Sequence, residues 1–180
     1  MGEYYRPNFF ANTPDINPFY LQTSGRPGFI VRSTLAATLS SSWGVYNGFE
    51  LCEATPLAGK EEYLDSEKYE ARDRRLDGPL LPLLSRLNEI RRASPPLWRI
   101  DVRFLETANS ALIGYAKALS DDVIGALVGR FADAYLTELR AIAAGGDEAI
   151  GSITLANATG VLRTVLQQAR LNTRVDLLNE

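Results

Sequence analysis

The 180-residue sequence contains no histidine at all. That absence removes Ser-His-Asp and Cys-His nucleophile arrangements, His-based zinc motifs and any imidazole general base. Chemistry in this chain therefore rests on carboxylates, lysine or tyrosine. Cysteine is nearly as scarce: Cys52 stands alone, so no internal disulfide forms, and its apolar neighbours suggest a buried, inert thiol in a reducing compartment. No apolar run approaches the roughly 20 residues that span a bilayer, and Met1-Gly2-Glu3-Tyr4 lacks the basic and apolar regions of a signal peptide. The expectation is a cytoplasmic protein without membrane contact. A net charge of -3 with basic residues scattered among acidic ones gives no stripe for nucleic acid. No Gly-rich dinucleotide fingerprint occurs, and nothing calls for a cofactor or metal.

What is present is an ordinary soluble composition, 46% hydrophobic and 23% charged, able to bury a core. Phe9-Phe10-Ala11 is an apolar segment too short for a helix and is expected as a buried strand that Pro14 stops by denying a ladder donor. Asp15 then lies just beyond the strand's C-terminal end, where ligands and catalytic groups gather in parallel α/β architectures. The alternative is that Asn12 and Asp15 only form an Asx turn. After a loop or short helical turn at Asn17–Gln22, Ser24-Gly25-Arg26-Pro27-Gly28 introduces a helix from Phe29 to Ser40 whose only charge is Arg32. Trp43–Tyr46 reads as a second strand, followed by Asn47-Gly48 and Glu50, giving a parallel β/α unit. Asp15 and Glu50 both follow strands and could face one pocket, although Glu50 would also serve as a cap or a surface partner.

From Ala54 to Asp77 the composition shifts to proline, glycine and charge, a long connection of the kind that is functional or disordered. Tyr63 and Tyr69 argue against disorder and are suited to pack on a sugar ring, and Lys68 can donate to hydroxyls or phosphate. The competing reading is a solvated, charge-rich loop. Leu80, Leu83, Leu84, Leu87 and Ile90 at helical spacing predict an amphipathic helix, with Arg86, Glu89, Arg91 and Arg92 outside and Ser94-Pro95-Pro96 as its stop. Ile100–Leu105 and Ala111–Ala116 predict a hairpin. Beyond it, Ile124, Leu127, Val128, Phe131, Tyr135, Leu139 and Ile142 recur at helical intervals up to Gly145-Gly146. A second helix is expected through Ile153, Ala156, Val161, Leu162, Val165, Leu166 and Ala169, and a strand at Thr173–Leu177.

Several ordered blocks together resemble the α-1,4-glucan:maltose-1-phosphate maltosyltransferases of the α-amylase-like glycoside hydrolase superfamily, over about residues 3–117. They are Tyr5-Arg6-Pro7-Asn8-Phe9-Phe10 with Asn12-Thr13-Pro14-Asp15-Ile16, Leu35–Ser40 with Trp43-Gly44-Val45-Tyr46, Gly48–Glu53, and Glu62–Tyr69. The resemblance implies an α/β fold, the C-terminal part of a (β/α)8 barrel with its last two strands and helices. Residues 1–97 would be partial barrel, 98–120 the start of a C-terminal β domain opened by the hairpin, and 121–180 a helical tail of another origin. Asp15 would match the superfamily's third carboxylate, the transition-state stabiliser, with Pro14 where ordinary amylases carry histidine. Lys68 and Tyr69 would match the pair contacting the donor's maltosyl unit, with Asn12 and Glu50 as further substrate-binding candidates.

The implied substrates are maltose-1-phosphate and α-1,4-glucan, used by a retaining mechanism without metal or cofactor. The nucleophile and general acid of that mechanism would sit on earlier strands, so this chain alone is expected to be inactive, its partner being either a second copy or the remaining barrel. The alternative is a non-catalytic carbohydrate-binding or interaction module. The tail, through Arg130–Leu139 and Arg174-Val175-Asp176-Leu177, also resembles the carboxyl end of sugar-oxidising nicotinamide dehydrogenases, but without a dinucleotide fingerprint. A fusion, a frame shift or a family variant near Asp121 would each account for the junction.

Overall fold

The computed structural model describes residues 4–64, 66–68, 70–107 and 110–119, together with the backbones of strands within 122–129, 152–156 and 174–177. Strand β1 (Asn8–Phe10) leads to helix α1 (Phe19–Leu39) and strand β2 (Ser42–Gly44). The two strands pair in parallel, with Asn8 opposite Ser42 and Phe10 opposite Gly44. This is the β/α unit expected from the sequence. Helix α1 is two helical pieces joined at Gly25, whose φ of 59° and ψ of -165° break the helical path. Only glycine adopts that conformation without strain, and Pro27 then falls in the first turn of the second piece, where its missing N–H is harmless.

Three buried threads tie the layers together. Leu83, Leu87 and Ile90, one face of α2 (Leu81–Ala93), join Phe29, Ile30 and Ala37 of α1 in a single core. Phe49 packs its ring on Phe29 at 4.8 Å between centroids. Tyr115, from strand β4 (Leu112–Leu119), reaches the same core and shares a 2.5 Å hydrogen bond with the Thr38 hydroxyl. Helix α2 ends at Ser94, as Pro95 and Pro96 require, and a 3₁₀ turn carries the chain to β3 (Arg103–Leu105).

The predicted hairpin is present as β3 antiparallel to β4. The sheet then continues with β5 (Asp122–Gly129), antiparallel to β4, and β6 (Ser152–Ala156) and β7 (Arg174–Leu177), both parallel to their neighbours. This corrects the helical tail where it overlaps the described residues: Ile124–Val128 and Ile153–Ala156 are strand. Their β-branched residues Val123, Ile124, Val128, Ile153 and Thr154 suit a pleated ladder, and β4 supplies an eight-residue partner that local periodicity does not reveal. The strand at Thr173–Leu177 agrees with β7. The rest of the two expected helices, at 130–146 and 157–169, lies outside the described residues.

Two further expectations are corrected. Phe9 and Phe10 are 41% and 52% exposed, because among the described residues the β1–β2 pair has no third strand or covering layer against them; only Ala11 is buried as expected. Arg91 does not lie outside α2. Its guanidinium turns inward and donates to the carbonyls of Ala37, of Ser40 at 3.0 Å and of Ser41 at 2.7 Å. Lys117, 2% exposed, donates its Nζ to Leu39 O at 3.0 Å and to Arg99 O. The last carbonyls of a helix have no partner within it, and cations are favoured there. Among the described residues no helix is long and apolar enough to cross a membrane.

Truncating Arg91 to Met strands three carbonyls and is expected to cost about 1.5–3 kcal/mol, the worth of hydrogen bonds to a charged donor. Urea unfolding of the variant checks this, and a loss below about 0.5 kcal/mol would contradict it. Lys117 carries a pH signature. Burial pushes its ammonium down from 10.5 to about 8, Arg91 adds repulsion, and Asp101 only partly offsets them. Its contribution to stability is present above 10.5 and lost as pH falls through about 8, because in that window the unfolded chain binds a proton the fold does not. Wild type relative to Lys117→Met should therefore gain stability between pH 8 and 10, on the order of 2 kcal/mol. A flat difference across that range would refute it.

Candidate functional site

The C-terminal ends of β1 and β2 converge on one set of polar side chains. Beyond β1, Thr13 and Ile16 exchange two backbone hydrogen bonds of 3.1 Å, and Thr13 Oγ1 accepts a third from Ile16 N–H at 3.0 Å. Pro14 and Asp15 thus occupy the tip of a tight turn whose second position favours proline. Asp15 projects outward and its Oδ1 lies 2.7 Å from Lys68 Nζ. The sequence reading had singled out both residues separately, 53 positions apart in the chain, and the fold brings them together. Their side chains are 63% and 48% exposed, so this pair adds at most about 1 kcal/mol to stability. Its charge and hydroxyl-binding capacity face solvent.

Asn12 is 2% exposed. Its Nδ2 donates to the Tyr63 hydroxyl at 2.6 Å and its Oδ1 accepts from Tyr46 N–H at 2.8 Å, so its amide ties the ends of both strands to the long loop. Glu50 sits in the 3₁₀ turn Phe49–Leu51, with Oε2 accepting from Gly48 N–H at 3.0 Å. That is the capping role, the second of the two readings its sequence position allowed. Tyr69 lies outside the described residues. Tyr63 is described and is buried at 6% exposure, with its ring 5.7 Å from that of Tyr46 and burial pushing its hydroxyl above the ordinary range. Its ring packs against Tyr46 behind the Asp15 turn. Cys52 is half-buried and not buried as expected, its thiol raised chiefly by desolvation.

The loop between Ala54 and Asp77 is ordered by contacts that composition does not reveal. Its first part wraps the start of α1: Glu61 Oε1 accepts from Phe19 N–H at 2.9 Å, Asn17 Nδ2 donates to Ala54 O at 2.9 Å, and Gln22 Nε2 donates to Lys60 O at 2.9 Å. A carboxylate at a helix N-terminus is favoured by the exposed N–H groups there. Its second part is gathered around Arg74, whose side chain is 4% exposed. Arg74 Nε donates to Glu53 Oε2 at 3.1 Å, Nη1 lies 2.7 Å from Glu67 Oε1, Nη2 donates to Tyr46 Oη at 3.3 Å, and the guanidinium lies 5.2 Å from the centre of the Tyr46 ring. Desolvation opposes its charge, but the hydrogen bonds to Tyr46 and Glu53 outweigh it and hold the guanidinium firmly protonated.

Gly48, at φ 97°, leaves room for this cluster. A Cβ there would come within 2.4 Å of Glu53 Oε2 and 2.8 Å of Arg74 Nε. The Tyr46 hydroxyl also accepts from Glu67 N–H at 3.1 Å, next to Lys68. Beside the cluster opens a shallow cleft lined by Glu53, Thr55, Tyr63 and Arg72. Among the described residues no group of three or more His, Cys, Asp or Glu side chains is placed to hold a metal ion. Tyr46, Glu53, Ser66 and Arg74 were not singled out as site residues by the sequence reading. The signal for Arg74 is a charged residue in a charge run, which looks the same whether it is solvated or buried.

Replacing Arg74 with Met leaves Glu53 and Glu67 without their shared cation. The expected result is a loss of about 2 kcal/mol, discounted for the part exposure of both carboxylates, and faster proteolysis within 54–77. Cleavage of that loop at the wild-type rate would show that Arg74 does not hold it.

No protein-family model matches the sequence. Curated relatives do. Over 129 aligned residues the chain is 56% identical to the α-1,4-glucan:maltose-1-phosphate maltosyltransferase 2 of Streptomyces coelicolor, a match covering 67% of this chain and 19% of that protein. It is 61% identical over 95 residues to the maltosyltransferase of Pseudomonas aeruginosa, covering 52% of this chain and 14% of the relative, and 51% identical over 121 residues to that of Cereibacter sphaeroides, covering 66% and 20%. The chain thus spans about a fifth or less of the length of these relatives. Over about two thirds of its own residues the chain is thus similar to one part of the α-1,4-glucan:maltose-1-phosphate maltosyltransferases.

Proposed function

We propose that the chain supplies the donor-side portion of a glycosyltransferase that moves maltosyl units from maltose-1-phosphate onto α-1,4-glucan with retention of configuration. The observation that carries this reading is the Asp15–Lys68 pair, a solvent-facing carboxylate and ammonium 2.7 Å apart just beyond the C-terminal ends of a parallel strand pair. That edge is where α/β enzymes place their chemistry. In this reading Asp15 accepts hydrogen bonds from sugar hydroxyls. Those bonds strengthen as positive charge develops at the anomeric carbon, which lowers the barrier. Lys68 orients Asp15 and donates to the maltosyl unit, with Tyr69 beside it. Asn12 and Glu50 act from behind by fixing the loops.

A retaining mechanism further requires a nucleophile and a general acid about 5 Å apart. The resemblance assigns both to barrel strands outside this sequence, so the chain works as part of a larger barrel and is inactive in isolation. In this reading the hairpin of β3 and β4 would open such an enzyme's C-terminal β domain. Phosphate release from maltose-1-phosphate tests the proposal directly. The isolated chain is expected to give none. Co-expression with a polypeptide carrying the earlier strands of a relative should restore transfer, and Asp15→Ala in that assembly should lower kcat by about 10² to 10³. Sugar binding without restored transfer would favour a non-catalytic carbohydrate-binding module, and release by the isolated chain would refute the inactivity.

A further inference from the structure

Lys68 reaches Asp15 from a loop with no regular secondary structure, so something must fix the distance between them. Ser66 is placed to do so. It is 3% exposed, its Oγ donates to Pro14 O at 3.0 Å, and the same oxygen accepts from Lys68 N–H at 3.2 Å. One hydroxyl thus joins the carbonyl immediately before Asp15 to the amide of Lys68. A serine hydroxyl has one donor and two acceptor sites, and here one donor and one acceptor are each spent on a backbone group of a different segment. Glu67, between them, is held separately through Tyr46 and Arg74.

We propose that Ser66 is a positioning residue that sets the register between Lys68 and Asp15. Without this hydroxyl the turn at Pro14 and the loop at Lys68 remain folded, since each has other anchors, but they are no longer locked to one another. The ammonium then samples positions away from the carboxylate, and the pair loses its fixed geometry. This inference deepens the function proposed above and rests on it for its catalytic meaning. The register itself does not depend on that reading.

The test uses the full 180-residue chain, isotopically labelled, with no ligand. In wild type the Lys68 amide should be protected from hydrogen exchange, and its Nζ resonance should shift on Asp15→Asn. In Ser66→Ala the amide should exchange roughly five- to tenfold faster, as expected for one lost hydrogen bond. The Nζ response to Asp15→Asn should shrink, and Ser66→Thr, which keeps an oxygen at the same position, should restore both. A merely structural role would slow or speed unfolding without altering the Nζ response.

An unprotected Lys68 amide in wild type, or an unchanged Nζ response in folded Ser66→Ala, overturns the proposal. If Ser66→Ala does not fold, the wild-type protection and the Ser66→Thr spectrum decide it alone, a lost Nζ response in a Thr variant with intact Lys68 protection counting against it. Restored transfer in the assembly with the earlier strands, measured in parallel for wild type and Ser66→Ala, separates the two readings. No restored transfer in wild type with the Nζ result intact removes the catalytic meaning and leaves the register.

Discussion

The C-terminal end of α1 is the constraint on which the rest of the described structure depends. A helix ending in the protein interior leaves carbonyls that must find donors. Here Ala37, Ser40 and Ser41 are met by Arg91 of α2, and Leu39 by Lys117 of β4. Two elements from later in the chain are thereby fastened to one helix end, and β2 begins at the next residue, Ser42. The direction in which β2 leaves that junction sets where Tyr46 stands. Tyr46 in turn donates its N–H to Asn12 and accepts at its hydroxyl from Glu67 and Arg74. The helix end and Tyr46 are connected by the three residues of β2 and Val45.

The site combines two kinds of electrostatics. Arg74 is enclosed, with its carboxylate partners and the Tyr46 ring around it, and it organises the loop. Asp15 and Lys68 are open, and solvent weakens their attraction for each other. The pair contributes little to the fold, and the buried Ser66 hydroxyl bonds to the backbone on either side of it, to Pro14 O and Lys68 N–H. Asn12 and Tyr63 are buried behind the pair.

Much of this architecture was legible in the sequence. The spacing of Leu83, Leu87 and Ile90 is unambiguous because it repeats on one helical face over about two turns, and the Pro95-Pro96 stop follows from the missing amide hydrogen. The parallel unit followed from apolar runs separated by a helix. The tail was misread because Ile124, Leu127 and Val128 satisfy a helical interval while also fitting one strand of a ladder, and only the partner strand decides. Arg91 was placed outside because charge on a helix ordinarily faces water; the carbonyls it serves belong to another helix 50 or more residues earlier. Asp15 and Lys68 were each singled out in the sequence, but their contact with one another, and the contacts of Ser66 and Arg74 nearby, depend on distances between segments that no local pattern encodes.

The parallel pairing of β1 with β2 also bears on the order in which the molecule assembles. Asn8 and Ser42, joined by a 2.8 Å side-chain hydrogen bond at one end of the pair, are 34 residues apart, and all of α1 lies between them. Closing so long a segment for only three strand pairs per side is entropically unfavourable until the helix has shortened the path. Helix α1 supplies that shortened path, so the pairing of the strand ends depends on the helix being formed and held by its packing on α2. The turn bearing Asp15 and the loop bearing Lys68 are tied to those strand ends and to one another, so the polar surface they form depends on the apolar core beneath it.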